Sequence, residues 1–246
     1  MKSCRIVIFS KAPFPSFAKT RLIPALGMDG AAALAQLMLL NTLHHALDAQ
    51  IGTVELCVTP EITDSAWKHF RLPAKVEVSL QGAGDLGERM ARAAARINYS
   101  HEAALLIGTD CLEMSAELLR QARLDLKTRD AVIHGTADGG YALLGINRFA
   151  APLFENIPWS TDSTAMATLG RIGQLGWQVH VGRLLHDLDE PADLKYLPDF
   201  LKDIHPQCKE FSDSATNTCR HTGPESATCT KLFRNITEKN SIAARI

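Results

Sequence analysis

Apolar positions along this chain fall into two alternating patterns. Short runs over 4–10, 53–59, 75–80, 103–107, 131–134, 141–146 and 177–181 read as strands. The first is almost continuously apolar, as a strand buried on both faces should be, and 75–80 alternates polar with apolar. Between the runs lie helix-like segments. In 29–48, Leu37, Leu40, Leu43 and Leu47 recur at helical spacing. Further helices are predicted over 85–97, 115–125, 162–175 and 190–201. Asp85 followed by Glu88 has the form of a capping box, Ser160 or Asp162 is placed to cap 162–175, and Gly176 follows its end. Strands alternating with helices predict an α/β fold, a mostly parallel central sheet covered by helices on both faces. Ligands of such sheets bind at the carboxyl ends of the strands, so the residues just after each strand matter most.

A chain of 246 residues with 46% hydrophobic and 22% charged residues suits one globular domain with a sizeable core. From about residue 205 the chain turns rich in Ser, Thr, Asn and Gly and loses apolar periodicity. The expected division is therefore a domain over 1–204 and a mobile or loosely docked tail over 205–246. A net charge of −1 provides no bulk field to attract nucleic acid or an anionic membrane. No run approaches the 18 apolar residues of a membrane span, and the N-terminal apolar stretch is short for a signal peptide. A cytoplasmic protein with no nucleic-acid or membrane partner is expected. Cys4, Cys57 and Cys111 read as buried thiols. Cys208, Cys219, His221 and Cys229 match no zinc-ligand spacing.

Ser10, Lys11, Lys19 and Arg21 lie at or just after the end of the first strand, on a loop stiffened by Pro13 and Pro15. Lys as a point charge and Arg as a bidentate fork suit a di- or triphosphate. The same residues also fit a solvated basic loop, and the glycines of a Walker A loop are absent. Gly108-Thr109-Asp110 ends the strand over 103–107. There Asp110 fits a hard cation, Mg²⁺ or Mn²⁺, bridging to substrate phosphates, or a simple turn residue. Asp187 or Asp189 would complete that site, although Asp189 or Glu190 before Pro191 also fits a helix start. Gly82, Gly84 and Gly87 around Asp85 are placed to present backbone N–H groups to an anion or a base edge. Asp138-Gly139-Gly140-Tyr141 has the form of a hairpin turn. Trp159 suits stacking on a sugar or base as well as a place in the core.

These motifs, in this order, carry a resemblance. Lys11-Ala12-Pro13, Lys19-Thr20-Arg21-Leu22, Gly84-Asp85-Leu86-Gly87-Glu88-Arg89-Met90, Gly108-Thr109-Asp110-Cys111, Asp138-Gly139-Gly140-Tyr141, Ile157-Pro158-Trp159-Ser160-Thr161 and Asp187-Leu188-Asp189-Glu190-Pro191 resemble the glycosyltransferase-A-like transferases found beside radical-SAM/selenium-domain proteins. The opening is also similar to that of the phospholactate guanylyltransferases. The resemblance reaches to about Leu201, with Ser16 where the family usually has Gly, Leu112 where it has Pro, and His134-Gly135 where it has Gly-Pro.

The resemblance implies a single Rossmann-like domain of the glycosyltransferase-A type. It also implies a nucleotide or nucleotide-sugar ligand held by Ser10, Lys11, Lys19, Arg21, Gly84, Asp85 and Gly87, and a cation on Asp110 with Asp187 or Asp189. The small-molecule acceptor would lie against Asp138, Gly139, Gly140, Tyr141, Trp159, Ser160 and Thr161. Lys19 and Arg21 would stabilise the leaving group, and Asp138 would orient or deprotonate the acceptor. Glycosyl transfer from a nucleotide-sugar, nucleotidyl transfer from a nucleoside triphosphate with loss of pyrophosphate, and non-catalytic nucleotide binding all remain compatible with these residues.

Overall fold

The structure, a computed structural model, describes residues 3–197. Seven strands, β1 (Cys4–Lys11), β2 (Thr53–Thr59), β3 (Val76–Leu80), β4 (Ala103–Ile107), β5 (Ala131–Gly135), β6 (Tyr141–Ile146) and β7 (Val179–Val181), form one sheet in the order β3-β2-β1-β4-β6-β5-β7. Among the described residues four α-helices accompany them: α1 (Ile23–Ala49), α2 (Leu86–Tyr99), α3 (Ala116–Asp125) and α4 (Thr164–Gln174). All pairings are parallel except those of β6 with β4 and β5. The connection from β5 to β6 holds only residues 136–140, too short for a crossover, so β6 must turn back as a hairpin.

Strand alternation divides the core in two. Ile6, Ile8, Leu56 and Leu105 face α1 and α3, while Val7, Cys57, Leu106 and Leu144 face α2 and α4. By length and composition α1 could cross a membrane, yet Leu39, Leu43, Ala46 and Ala49 of α1 are buried against the sheet. Its regular turns resume after Gly27, whose φ of 72° and ψ of 169° interrupt the helix. On the α2 side, buried Glu55 accepts hydrogen bonds from Arg5 at 3.1 Å, Arg96 at 2.5 and 3.0 Å, and Ser79 at 2.5 Å. This satisfied ionic cluster ties α2 to three strands, where an unpaired carboxylate would be costly.

Three expected helices differ, the first because α1 begins at Ile23 rather than at 29, with the break at Gly27 inside it. α4 starts at Thr164, and neither Ser160 nor Asp162 caps it. Ser160 has a left-handed backbone (φ 61°), and the Thr161 hydroxyl donates to the carbonyl of Pro158 at 2.8 Å, so a tight turn precedes the helix. The segment expected as a helix over 190–201 is a 3₁₀ helix over Pro191–Tyr196. Glu190 and Asp193 form its capping box, and Pro191 takes its first position. Its expected continuation, the tail over 205–246 and the tail cysteines lie outside the described residues.

The chain builds outward from β1 to β2 and β3, then returns to place β4 on the other flank of β1. That reversal opens a crevice beyond the carboxyl ends of β1 and β4, the place where doubly wound sheets bind ligands.

Candidate active site

The walls of the crevice are segments singled out by sequence. On one side the chain leaves β1 through residues 12–19. Two residues there, Ser16 (φ 64°) and Lys19 (φ 49°), lie in the left-handed region. Ser16 stands where the resembling family usually has Gly, the residue that adopts this conformation without steric cost. The turn at Lys19 sends its side chain inward, to only 7% exposure. Its ammonium donates to Asp189 Oδ1 at 2.6 Å and to the carbonyl of Leu188 at 2.8 Å, and it also pairs with Asp110 Oδ1. Lys11 is exposed. Arg21 is 71% exposed and, among the described residues, reaches only Glu190, at 3.8 Å. Ser10 is buried, and its hydroxyl donates to the carbonyl of Lys11 at 2.9 Å, so it faces inward rather than into the crevice.

On the other side β4 delivers Asp110, and the segment 185–189 runs beside it. Leu185 donates its N–H to the carbonyl of Gly135 and accepts from Ala137, and Leu188 donates to the carbonyl of Asp110 at 2.9 Å. In such an extended run successive side chains alternate. Leu188 is buried at 2% exposure, which turns Asp187 and Asp189 together toward the crevice. Asp189 meets Lys19, whereas Asp187 hydrogen-bonds Asp138 of the β5–β6 turn. Asp138 also accepts from the Thr136 hydroxyl at 2.5 Å and the Gly140 N–H at 2.9 Å.

The electrostatics follow from these contacts. Burial opposes the charge of Lys19, but Asp110 and Asp189 outweigh it and hold the pKa above the ordinary lysine value. Burial, then the charge of Asp138, then that of Asp189 push Asp187 up to about 6. For Asp138, burial works in the same direction, but the hydrogen bonds from Thr136, Gly140 and Asp187 prevail and keep its carboxyl below the usual range. The Asp138–Asp187 pair thus holds a proton more readily than two separated carboxylates would.

Asp110, Asp187 and Asp189 offer carboxylate oxygen alone, the donor type that Mg²⁺ and Mn²⁺ prefer. Among the described residues, no three His, Cys, Asp or Glu side chains converge into a complete ligand set. The carboxylates therefore fit a cation held by one or two protein ligands that completes its shell with water and substrate phosphate.

The β3–α2 junction forms a third wall. Asp85 and Glu88 close the expected capping box, with bonds of 2.8 and 2.9 Å. That uses the N–H groups of Asp85 and Glu88 and leaves those of Leu86 and Gly87 outside the box. Gly84 has φ 98°, and a Cβ there would stand 2.0 Å from the Glu88 carboxylate, so the loop needs glycine. Sequence reasoning missed how this loop is held. Buried Gln81 donates to the carbonyls of Ser10 and Cys57 at 3.1 and 3.0 Å and accepts from Arg89 at 3.1 Å. Arg92 grips the carbonyls of Gln81 and Ala83. The available signal was the spacing of Arg89, Arg92 and Arg96 on one face of α2.

The expected acceptor residues are joined by backbone. Gly139 accepts from the N–H of Ala165 at 2.9 Å, and a Cβ on Gly139 would stand 2.0 Å from the carbonyl oxygen of Asp162. Trp159 lies edge-on to Tyr141, ring centroids 6.5 Å apart. The Tyr141 hydroxyl points to Met90 of α2, not into the crevice, and the Thr161 hydroxyl is engaged with Pro158 and Ser163. A second missed contact lies behind the acidic segment. Glu113 accepts from the His186 N–H at 2.6 Å and faces its ring at 3.1 Å, while that ring stacks on Tyr196, fixing the residue before Asp187.

Residues 42–161 match a family described as an uncharacterised protein conserved in bacteria. No curated protein matches the sequence. Among solved structures, a Desulfovibrio desulfuricans G20 protein assigned as a nucleotide-diphospho-sugar transferase is 28% identical, with 82% of this chain and 89% of that chain covered and a TM-score of 0.74. The manganese complex of Rv0371c from Mycobacterium tuberculosis H37Rv is 16% identical, with 79% and 97% covered and a TM-score of 0.50. The 4-diphosphocytidyl-2C-methyl-D-erythritol synthase of Anaerococcus prevotii DSM 20548 is 13% identical, with 82% and 96% covered and a TM-score of 0.54. The latter two show the fold alone. With its reversed sheet order, its crevice at the β1–β4 switch point and its ordered motifs, the chain is similar in fold and sequence to that nucleotide-diphospho-sugar transferase-like structure.

Proposed function

We propose that this protein is a cation-dependent transferase that moves a glycosyl group from a nucleotide-diphospho-sugar to a small hydroxyl-bearing acceptor. The observation that carries this reading is the meeting of Lys19, Asp110 and Asp189 at the β1–β4 switch point, flanked by the Asp138–Asp187 pair. The 28% identical structure assigned as a nucleotide-diphospho-sugar transferase supports the choice of donor.

In this reading Lys11, Lys19 and Arg21 bind the diphosphate, while Gly84, Asp85 and Gly87 border the base and ribose. Asp110, with Asp189 or Asp187, would hold Mg²⁺ or Mn²⁺. When bound, that cation supplies charge neutralisation to the leaving diphosphate. The acceptor oxygen attacks the anomeric carbon, the bond from that carbon to the β-phosphate oxygen breaks, and the nucleoside diphosphate departs. Lys19 and Arg21 offset the charge gathering on it. Asp138, kept ionised by its donors, accepts a hydrogen bond from the acceptor's O–H, orients it and takes up its proton as the new bond forms. The manganese found with Rv0371c, a protein of the same fold, supports the choice of cation.

Nucleotidyl transfer from a nucleoside triphosphate is favoured by one specific observation. Lys11 and Arg21 are both exposed, and among the described residues Arg21 has only a loose contact at 3.8 Å, so the segment from the end of β1 offers more cationic charge than Lys19 alone. A thermal-shift panel with Mg²⁺ or Mn²⁺ separates the two, since a ligand of the native state raises Tm. The largest cation-dependent shift is expected with one nucleotide-sugar. A largest shift with a nucleoside triphosphate would transfer the assignment to nucleotidyl transfer. No shift with either would leave neither reaction standing.

A further inference from the structure

We infer that Lys19 is a resident counter-cation that closes the divalent-cation site until phosphate arrives. This rests on reading the crevice as a nucleotide and cation site, and it concerns the order in which the two enter.

An ammonium has three N–H donors. In Lys19 all three have partners: the carboxylates of Asp110 and Asp189, and the carbonyl of Leu188. No donor remains for a ligand, so a phosphate oxygen can bind Lys19 only by displacing one of these acceptors. The carboxylates displaced belong to the residues placed to hold the cation. Until then the site already contains a positive charge, buried to 7% exposure. A divalent cation beside it would meet repulsion at close range in a partly desolvated setting, where screening is weak. The described residues supply no alternative set of three ligands that bypasses Asp110 and Asp189.

Lys11 and Arg21 complete the device. Both flank the loop over 12–19, Lys11 at the end of β1 and Arg21 just beyond the loop, and both are exposed, Arg21 at 71%. They can take the first phosphate contact without breaking a buried ion pair. The incoming phosphate then draws Lys19 away from the carboxylates. Loss of that ammonium and gain of phosphate oxygens together create the oxygen-rich shell that Mg²⁺ or Mn²⁺ needs. Nucleotide and cation consequently bind as a pair, and free cation at cellular concentration does not occupy an empty enzyme.

The test uses the full chain and Mn²⁺ alone, with free aqueous Mn²⁺ read by its electron paramagnetic resonance signal at pH 7.5. Wild type, Lys19→Met, Lys19→Gln and the double variant Lys19→Met/Asp110→Asn are compared. The two single variants are expected to bind Mn²⁺ at least about tenfold more tightly than wild type, and the double variant to lose that gain. A single variant that folds only with Mn²⁺ present supports the inference equally, because binding then supplies the missing charge. Unchanged or weaker Mn²⁺ binding in the single variants overturns it, as does failure to fold even with Mn²⁺. The site itself would still be judged by the nucleotide-dependent shift of wild type. A gain that survives in the double variant overturns both the gate and the assignment of Asp110.

Discussion

The backbone of Gly87 lies against the indole of Trp159 so closely that a Cβ at position 87 would stand 2.4 Å from Nε1. This contact joins the expected nucleotide wall at the start of α2 to the expected acceptor wall before α4. Gly87→Ala should therefore destabilise the protein by about 1–3 kcal/mol through overpacking, although Ala is otherwise the better helix residue by about 1 kcal/mol. In a Trp159→Ala background the sign should reverse, making Gly87→Ala neutral or mildly stabilising. Urea unfolding of the four proteins in a double-mutant cycle reads this directly. A full penalty persisting without the indole would place its origin elsewhere.

Asp110→Ala separates the site from the fold. Asp110 is 48% exposed, and Lys19 keeps Asp189 and the Leu188 carbonyl as partners. Loss of stability should stay within about 1 kcal/mol, whereas the cation-dependent part of the nucleotide thermal shift should vanish. Circular dichroism melts with and without Mn²⁺ and nucleotide report both quantities. An undiminished cation-dependent shift would exclude Asp110 as a ligand.

Asp187 provides a pH signature. Burial, with the charges of Asp138 and Asp189, raises its folded-state pKa to about 6, above the unfolded value of about 3.9. Proton binding therefore favours the folded state. The stabilisation is fully present below about pH 4 and is lost as pH rises through about 6. Asp187→Asn copies the protonated form, so in cation-free buffer it should be more stable than wild type at pH 8 and equal to it near pH 4. Melting temperatures from pH 4 to 8 test the convergence. Parallel curves would show that Asp187 does not titrate in this range.

Much of this was legible in the chain. The strands over 53–59, 103–107 and 141–146 have the bounds their apolar runs predict, because buried strands admit little else. The Asp85–Glu88 capping box and the Asp138–Gly139 hairpin are local devices, written in residues no more than three apart. The start of α4 was not legible, since the left-handed Ser160 and the hydroxyl of Thr161 shape a turn that tertiary contacts hold. The switch-point rule brings Lys19 and Asp110 to one crevice without indicating which acid pairs with which partner. Lys19 bonds a residue 170 positions away, and that Asp189 takes Lys19 while Asp187 takes Asp138 depends on the path of 185–189 beside the hairpin. The role of Gln81 is not legible in the sequence, because a single amide after a strand has no motif.

That amide supports the last expectation. Gln81 is 5% exposed and joins the ends of β1 and β2 to Arg89 of α2, by bonds of 3.1, 3.0 and 3.1 Å. Gln81→Leu keeps the volume but leaves the Ser10 and Cys57 carbonyls and the Arg89 guanidinium each one partner short. A buried polar group without its partner costs about 1–3 kcal/mol, so the melting temperature should fall accordingly. Because Gln81 also steadies the Gly82–Gly84 turn, nucleotide affinity should drop by about tenfold as the bordering wall loosens, while the ratio of affinities with and without Mn²⁺ stays constant. Gln81→Glu should be worse than Leu at pH 8, since a carboxylate would face two carbonyl oxygens, and should improve as the pH falls and the acid regains a proton to donate. Isothermal titration of the three proteins at two pH values decides it. Wild-type affinity in Gln81→Leu would mean that the turn holds its shape through Arg92 alone.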